Sequence, residues 1–313
     1  MADPRSRLRN SADHNHSAGV ALRSGHDRLS PSERTPVLVG ILNVTPDSFS
    51  DGGNFFSPTD AIDRAEQMFD EGADIVEVGG ESTRPGAHAV SAAQELNRIL
   101  RVVQGIRERR SDARIAVDTT KAEVARAAIA AGATIVNDVS ALRLDPAIAE
   151  VCASTHCTLV LMHSRGGVGD MARFDHATYA EGEVMRAIVD ELAQAVERAR
   201  ASGVHRDAIV LDPGIGFAKR HEHSVQALAE LPKLVDLGYP VMVGVSRKRF
   251  LGELTGVQQA ADRDNSTIGA NVAALMLGAT WFRVHSVRAN RHALDVAHAI
   301  LHERTRGAGE GDA

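Results

Sequence analysis

One local signature recurs along this chain and restricts its fold more than any other feature. Gly72-Ala73-Asp74-Ile75-Val76, Gly132-Ala133-Thr134-Ile135-Val136 and Gly278-Ala279-Thr280-Trp281-Phe282 each close a helix-patterned stretch and open an apolar run. Glycine enters the left-handed conformation that stops a helix at little cost, so the chain passes directly from helix to strand. The same alternation fills the intervals. Apolar runs stand at Val37–Leu42, Ile75–Val78, Ile115–Val117, Thr134–Val136, Thr158–Met162, Ile209–Leu211, Val241–Val245 and Trp281–Val284. Each is nearly continuous, the pattern of a parallel strand covered on both faces. Between them, Ala61, Ile62, Ala65, Met68 and Phe69 form one helical stripe, and Leu96, Ile99, Leu100 and Val103 another. Ser91 with Gln94 three residues on is a capping box, and Asp145-Pro146 reads as an N-cap with proline at the first helical position. Eight strands with intervening helices predict an α/β fold, a closed (β/α)8 TIM barrel over residues 35–304, with an open doubly wound sheet as the alternative.

Composition narrows the class of protein. With 43% apolar and 24% charged residues, the chain can build one sizeable core. A net charge of -6 argues against nucleic acid as a partner. No apolar run approaches the ~20 residues of a bilayer span, so no membrane partner and a cytoplasmic setting are expected. Residues 1–34 are polar and lack the apolar centre of a secretory signal, which reads as a disordered extension. Residues 305–313, with Gly307, Gly309 and Gly311, read as a flexible tail. Cys152 and Cys157 sit in apolar surroundings, as small buried hydrophobes rather than a disulfide.

Active sites of such barrels lie at the C-terminal ends of the strands. Nearly every apolar run here exits into a polar residue: Asn43, Glu81, Asp118, Asn137-Asp138, His163, Asp212, Ser246-Arg247-Lys248, then Arg283 and His285. Asp118, Asp138 or Ser246 taken singly could be helix caps. A full ring of them points to chemistry, because charges gathered at a barrel mouth need pairing or solvent. Asp118, Asn137 and Asp212 offer carboxylate and amide edges suited to a flat nitrogen heterocycle. Arg84, Lys248, Arg283 and His285 suit phosphate oxygens. Asn43, with Asp47 and Asp51, could complete a Mg2+ site that also uses substrate phosphates. The loops Thr45–Gly53 and Glu81–Gly86 are candidates for lids over the substrate.

At these residues the chain resembles the dihydropteroate synthases. The likeness rests on Gly40-Ile41-Leu42-Asn43-Val44-Thr45-Pro46-Asp47-Ser48-Phe49-Ser50-Asp51-Gly52-Gly53 and Gly79-Gly80-Glu81-Ser82-Thr83-Arg84-Pro85-Gly86. Val117-Asp118-Thr119, Asn137-Asp138, Leu161-Met162-His163, Leu211-Asp212-Pro213-Gly214, Ser246-Arg247-Lys248 and Arg283-Val284-His285 continue it in the same order. The resemblance implies condensation of 6-hydroxymethyl-7,8-dihydropterin pyrophosphate with p-aminobenzoate to give dihydropteroate and pyrophosphate. It places the pterin on Asp118, Asn137, Asp212, Lys248 and Arg283, and the pyrophosphate on Asn43, Arg84, Arg283 and His285. Asn43 becomes the Mg2+ ligand. Phe49, Thr83, Pro85, Phe217, Lys248 and Arg249 become the p-aminobenzoate pocket, and Asp51, Lys248 and Arg283 the catalytic set. Competition by sulfonamides and a homodimer through barrel helices are further implications.

The chain departs from that family's commoner pattern at Glu77, Ala218, Ser224 and Ser286, and in the loop from His163 to Met171. None of these is a proposed pterin or metal ligand. Ala218 would restrict its loop if the position needs a positive φ. Two alternatives share the barrel: a methyltetrahydrofolate-dependent methyltransferase and a catalytically silent pterin-binding paralogue.

Overall fold

The computed structural model describes residues 36–45, 57–82 and 89–309. Eight parallel strands form one sheet: β1 (Val37–Asn43), β2 (Ile75–Gly79), β3 (Ile115–Asp118), β4 (Ile135–Asp138), β5 (Thr158–Met162), β6 (Ile209–Asp212), β7 (Met242–Val243) and β8 (Trp281–Val284). Their order is β6-β5-β4-β3-β2-β1-β8-β7. A parallel bridge from Leu211 to Val241, with the Leu211 N–H donating to the Pro240 carbonyl at 2.9 Å, joins the two ends. That closure decides for the barrel over the open sheet. The helices are α1 (Pro58–Asp70), α2 (Ala92–Arg109), α3 (Ala122–Ala130), α4 (Ala147–Thr155), α5 (Val184–Ala201), α6 (His221–Ala229), α7 (Pro232–Val235), α8 (Arg249–Thr255), α9 (Asp264–Met276) and α10 (Val287–Gly309).

The local signals behave as their chemistry requires. Gly72, Gly132 and Gly278 all take positive φ, at 99°, 115° and 98°. Ser91 forms its capping box with Gln94, and Ser57 forms a second with Asp60 at the start of α1. Asp145 acts one residue earlier than expected, since α4 starts at Ala147 with Pro146 in the cap position. Its carboxylate accepts from the Ala147 N–H at 3.1 Å and from the Ala122 N–H of α3 at 2.7 Å, so it serves two helix starts at once. Several strands run past their apolar stretch because the polar residue still pairs with its neighbour: Asn43 with Gly79, Gly79 with Asp118, Asp118 with Asn137, and Met162 with Asp212. β7 is shorter than Val241–Val245, because the Lys248 N–H donates back to the Val245 carbonyl at 3.1 Å and turns the chain. At the other end α10 continues to Gly309, into the stretch expected to be tail. The expected extension over residues 1–34 lies outside the described residues, as do residues 310–313 of the tail.

Apolar side chains pack in two places. The larger core lies between strands and helices. The smaller one plugs the barrel itself with one residue from every strand: Val39, Ile75, Ala116, Ile135, Val160, Val210, Met242 and Trp281. Cys152 and Cys157 are free and buried. No helix among the described residues is long and apolar enough to cross a membrane.

Candidate active site

Side chains alternate faces along a strand, so the residue two positions beyond each plug residue also points into the barrel. That step leads to Ile41, Glu77, Asp118, Asn137, Met162, Asp212, Gly244 and Arg283. The polar members bind one another. Arg283 Nε donates to Glu77 Oε1 at 2.6 Å, and Arg283 Nη2 to Asp118 Oδ2 at 3.1 Å. Asn137 Nδ2 donates to Glu77 Oε2 at 2.9 Å, which leaves the buried Asn137 Oδ1 without a hydrogen-bond partner. Glu77 thereby fixes which way the amide faces. Asp212 Oδ1 accepts from the Gly214 N–H at 2.7 Å. Only glycine fits at 214, where φ is +65° and a Cβ would lie 1.9 Å from the His163 carbonyl oxygen.

Above this layer, Lys248 Nζ sits 3.8 Å from the centre of the Phe217 ring. Asp118, Asn137, Met162, Asp212, Phe217, Lys248 and Arg283 line a small inner pocket. It lies against a wider cavity of about 1260 Å³ whose walls include Asn43, Lys248, Arg283 and His285. His285 is held at the rim by Ser246, whose Oγ is 2.9 Å from His285 Nδ1 and accepts from the His285 N–H at 3.2 Å.

Burial sets the charge states. It pushes Asp118 up to about 8, reinforced by the Glu77 carboxylate and opposed by Arg283. Asp212 rises to about 6, also chiefly through burial. Burial and repulsion from Arg283 bring Lys248 down to about 7, and the same two causes bring His285 to about 3. For Arg283, burial works against the charge, but Glu77 and Asp118 more than offset it and hold the guanidinium above its ordinary value. The result is a pocket of carboxyl and amide groups, with carboxyls that hold their protons more tightly than usual, facing a fixed cation and a lysine that gives up its proton more readily than usual. Such a set can accept hydrogen bonds from a planar heterocycle below and meet anionic oxygen above.

The structure therefore brings Asp118, Asn137, Asp212, Lys248, Arg283 and Phe217 together, with Asn43 and His285 on the adjoining wall. Arg249 lines the same wide cavity as Lys248 and Phe217, leaning over Phe174 at 4.7 Å with Glu253 3.7 Å away. Phe49, Asp51, Thr83, Arg84 and Pro85, with Asp47, lie outside the described residues. Asp138 proves to be a turn residue: its carboxylate accepts from the N–H groups of Ser140 at 2.8 Å and Leu142 at 2.6 Å. It stabilises a stretch where Ala141 and Leu142 take positive φ of 51° and 64°. The described residues contain no cluster of His, Cys, Asp or Glu able to hold a metal by itself. Asn43 is a single oxygen donor on the cavity wall, which suits an ion that takes most of its ligands from substrate and water.

Sequence reasoning passed over two features. Glu77, noted only as a departure, is the buried residue that ties Arg283 to Asn137; its signal was a carboxylate inside an apolar strand. Lys219 is fully buried and donates to the Phe217 carbonyl at 3.0 Å and to His163 Nδ1 at 2.8 Å. His163 Nε2 then faces Glu191 at 3.1 Å, and burial holds His163 down at about 4. No sequence pattern distinguished that lysine from a surface one. Ala218, between these groups, does take positive φ, at 47°.

A family model described as "Pterin binding enzyme" matches residues 39–285. The dihydropteroate synthase of Mycobacterium leprae is 43% identical over 270 residues, covering 85% of this chain and 93% of that protein. The mitochondrial folate synthesis bifunctional protein of Arabidopsis thaliana is 40% identical over 284 residues, 87% of this chain. The chain spans about half the length of the plant bifunctional relatives it matches. Among solved structures, Xanthomonas albilineans dihydropteroate synthase with 4-aminobenzoic acid superimposes with a TM-score of 0.78 at 40% identity, covering 85% of this chain and 93% of that one.

Proposed function

The chain belongs to the pterin-binding enzyme family, among its dihydropteroate synthases, and from that premise we propose that it condenses 6-hydroxymethyl-7,8-dihydropterin pyrophosphate with p-aminobenzoate. The observation that carries this reading is the partnerless Asn137 Oδ1, buried between Asp118 and Asp212 in the inner pocket. This amide acceptor and two carboxyls in one recess suit the N–H edge of a pterin, and burying such an acceptor without a ligand is costly. Arg283 lies against the ring, with its orientation fixed by Glu77 and Asp118.

In this reading the pterin fills the inner pocket and its pyrophosphate points to the outer cavity, toward Asn43, Arg84, Arg283 and His285. The bond from the pterin methylene carbon to the bridging oxygen breaks, and pyrophosphate leaves with the electron pair. Cationic side chains stabilise that growing charge. The methylene cation is delocalised into the ring, with Asp51 as its counter-charge. The aniline nitrogen of p-aminobenzoate attacks from the side of Phe217 and Lys248, with Phe49, Thr83, Pro85 and Arg249 completing the pocket, then loses a proton. Mg2+, held by Asn43 and the pyrophosphate oxygens, would supply charge neutralisation at the leaving group. Water must be excluded while the cation exists, which suits a recess this deep. Sulfonamides, which share the shape and charge of p-aminobenzoate, compete for the same pocket. We place the reaction in the cytoplasm, in a homodimer that buries exposed apolar residues of α10, where Val296 and Ile300 are 61% and 62% exposed.

Purified protein supplied with dihydropterin pyrophosphate, Mg2+ and p-aminobenzoate should release pyrophosphate only when all three are present, with dihydropteroate formed in equal amount. Tight pterin binding without release would overturn the enzymatic reading in favour of a silent paralogue.

A further inference from the structure

Arg247 stands between two residues of the proposed site, Ser246 against His285 and Lys248 over Phe217. It holds φ at +60°, in the left-handed region that non-glycine residues enter rarely and at a cost. Such a conformation persists when its surroundings over-determine it. Here the start of α9 and the turn before it hold both backbone polar groups of the residue and two of its guanidinium nitrogens. The Arg247 N–H donates to Thr267 Oγ1 at 3.0 Å, and its carbonyl accepts from Arg263 Nη1 at 3.1 Å. Its guanidinium grips Asp264 in a two-pronged fork, Nε to Oδ1 at 2.7 Å and Nη2 to Oδ2 at 2.9 Å. The captors are themselves held. Arg263 Nε donates to the Val257 carbonyl at 3.0 Å, and the buried Thr267 hydroxyl donates to the Arg263 carbonyl at 2.9 Å. Gly252 leaves the room this needs, since a Cβ there would fall 2.7 Å from Arg263 Nε.

We infer that Arg263, Asp264 and Thr267 are positioning residues: they clasp Arg247 in a left-handed turn so that Ser246 and Lys248, on either side of it, face the cavity. The inference rests on the function proposed above for Lys248 and His285. Arg247 itself spends its guanidinium on Asp264 and acts through its backbone. Released from the clasp, the turn relaxes toward ordinary φ, and Lys248 leaves Phe217.

Arg247→Gly and Arg247→Ala separate this from the alternatives. Glycine adopts φ near +60° unaided, whereas alanine keeps the two backbone hydrogen bonds, loses the Asp264 fork and still carries the strain. The glycine variant should therefore melt at a higher temperature than the alanine variant, and should keep about tenfold more kcat/KM for p-aminobenzoate. If the guanidinium met substrate, the two variants would lose activity equally. If it were only structural filler, alanine would match or exceed glycine. Asp264→Asn should raise KM for p-aminobenzoate and lower kcat in the otherwise native chain, yet change both by less than about twofold beside Arg247→Gly. Thr267→Ser should keep the native parameters and Thr267→Val should not. Alanine equal to or better than glycine in both melting and activity would overturn the clasp. A native chain that releases no pyrophosphate would sink the function reading instead, and the melting order would still decide the clasp.

Discussion

Two rings lie one above the other in this barrel, two positions apart in sequence; the lower takes one side chain from every strand, and the upper takes one from every strand but β7, where Gly244 follows the strand. The lower ring, from Val39 to Trp281, is apolar throughout. The upper ring holds Glu77, Asp118 and Asp212, the Asn137 amide and the Arg283 guanidinium. Backbone, register and closure are shared, so the contrast lies in side-chain content alone. Removing apolar surface from water stabilises the lower ring by roughly 25 cal/mol per Å². The upper ring works against folding: burial pushes Asp118 up to about 8 and Asp212 up to about 6, both toward their neutral forms. A buried charge network of that kind is weak as a source of stability and suited to orienting a ligand. Stability and recognition are thus separated by height along the same strands.

The contrast breaks if substitutions in the two rings have the same consequences. The largest effect belongs to the upper ring. Asp118→Ala should lower kcat/KM by about 10²–10³-fold with the fold retained, and near-native turnover would remove Asp118 from the site. Arg283→Ala should lose activity to a similar degree and also destabilise by about 3–5 kcal/mol, because Glu77 is left buried with the Asn137 amide but without its cation. In the lower ring, Ile135→Ala should cost about 2–5 kcal/mol in denaturant unfolding yet leave kcat/KM within about twofold. A proportionate loss of catalysis there would mean that the rings are coupled. Asn43→Ala sharpens the upper boundary: the Mg2+ concentration for half-maximal activity should rise about tenfold, and an unchanged titration would refute its role as ligand. The smallest change expected is from Ala218→Gly. Relief of the left-handed alanine, worth about 1–2 kcal/mol, is partly cancelled by the greater freedom of glycine in the unfolded chain. A gain of a few degrees in Tm should result, and a loss would show that the turn carries no strain.

The lower ring and the strand order were readable because period and punctuation are local properties. Gly72, Gly132 and Gly278 mark helix ends through their own φ, and apolar runs mark strands without reference to partners. The site was readable in part, since polar residues at strand ends can be counted before their geometry is known. Glu77 was missed as a participant because its meaning depends on Arg283, 206 residues away. Lys219 was missed because burial is a property of the assembled barrel, and Asp138 stayed open between a cap and the ring because the turn it serves is set by the chain after it. Ala218 was correctly suspected of needing positive φ.

The most direct test compares thermal melting and pterin binding for the native chain and Asp212→Asn. Burial raises Asp212 from 3.8 to about 6, so the folded state holds this proton more tightly than the unfolded one. The contribution of the neutral carboxyl is present below the unfolded value and lost as pH climbs through the folded one. Asparagine has nothing to lose. The two proteins should melt alike near pH 4, and the variant should melt higher once pH passes 6, while its affinity for dihydropterin pyrophosphate falls at least about tenfold. A variant that melts lower at neutral pH and still binds the pterin normally would contradict the division of the barrel into a stabilising ring and a recognising one.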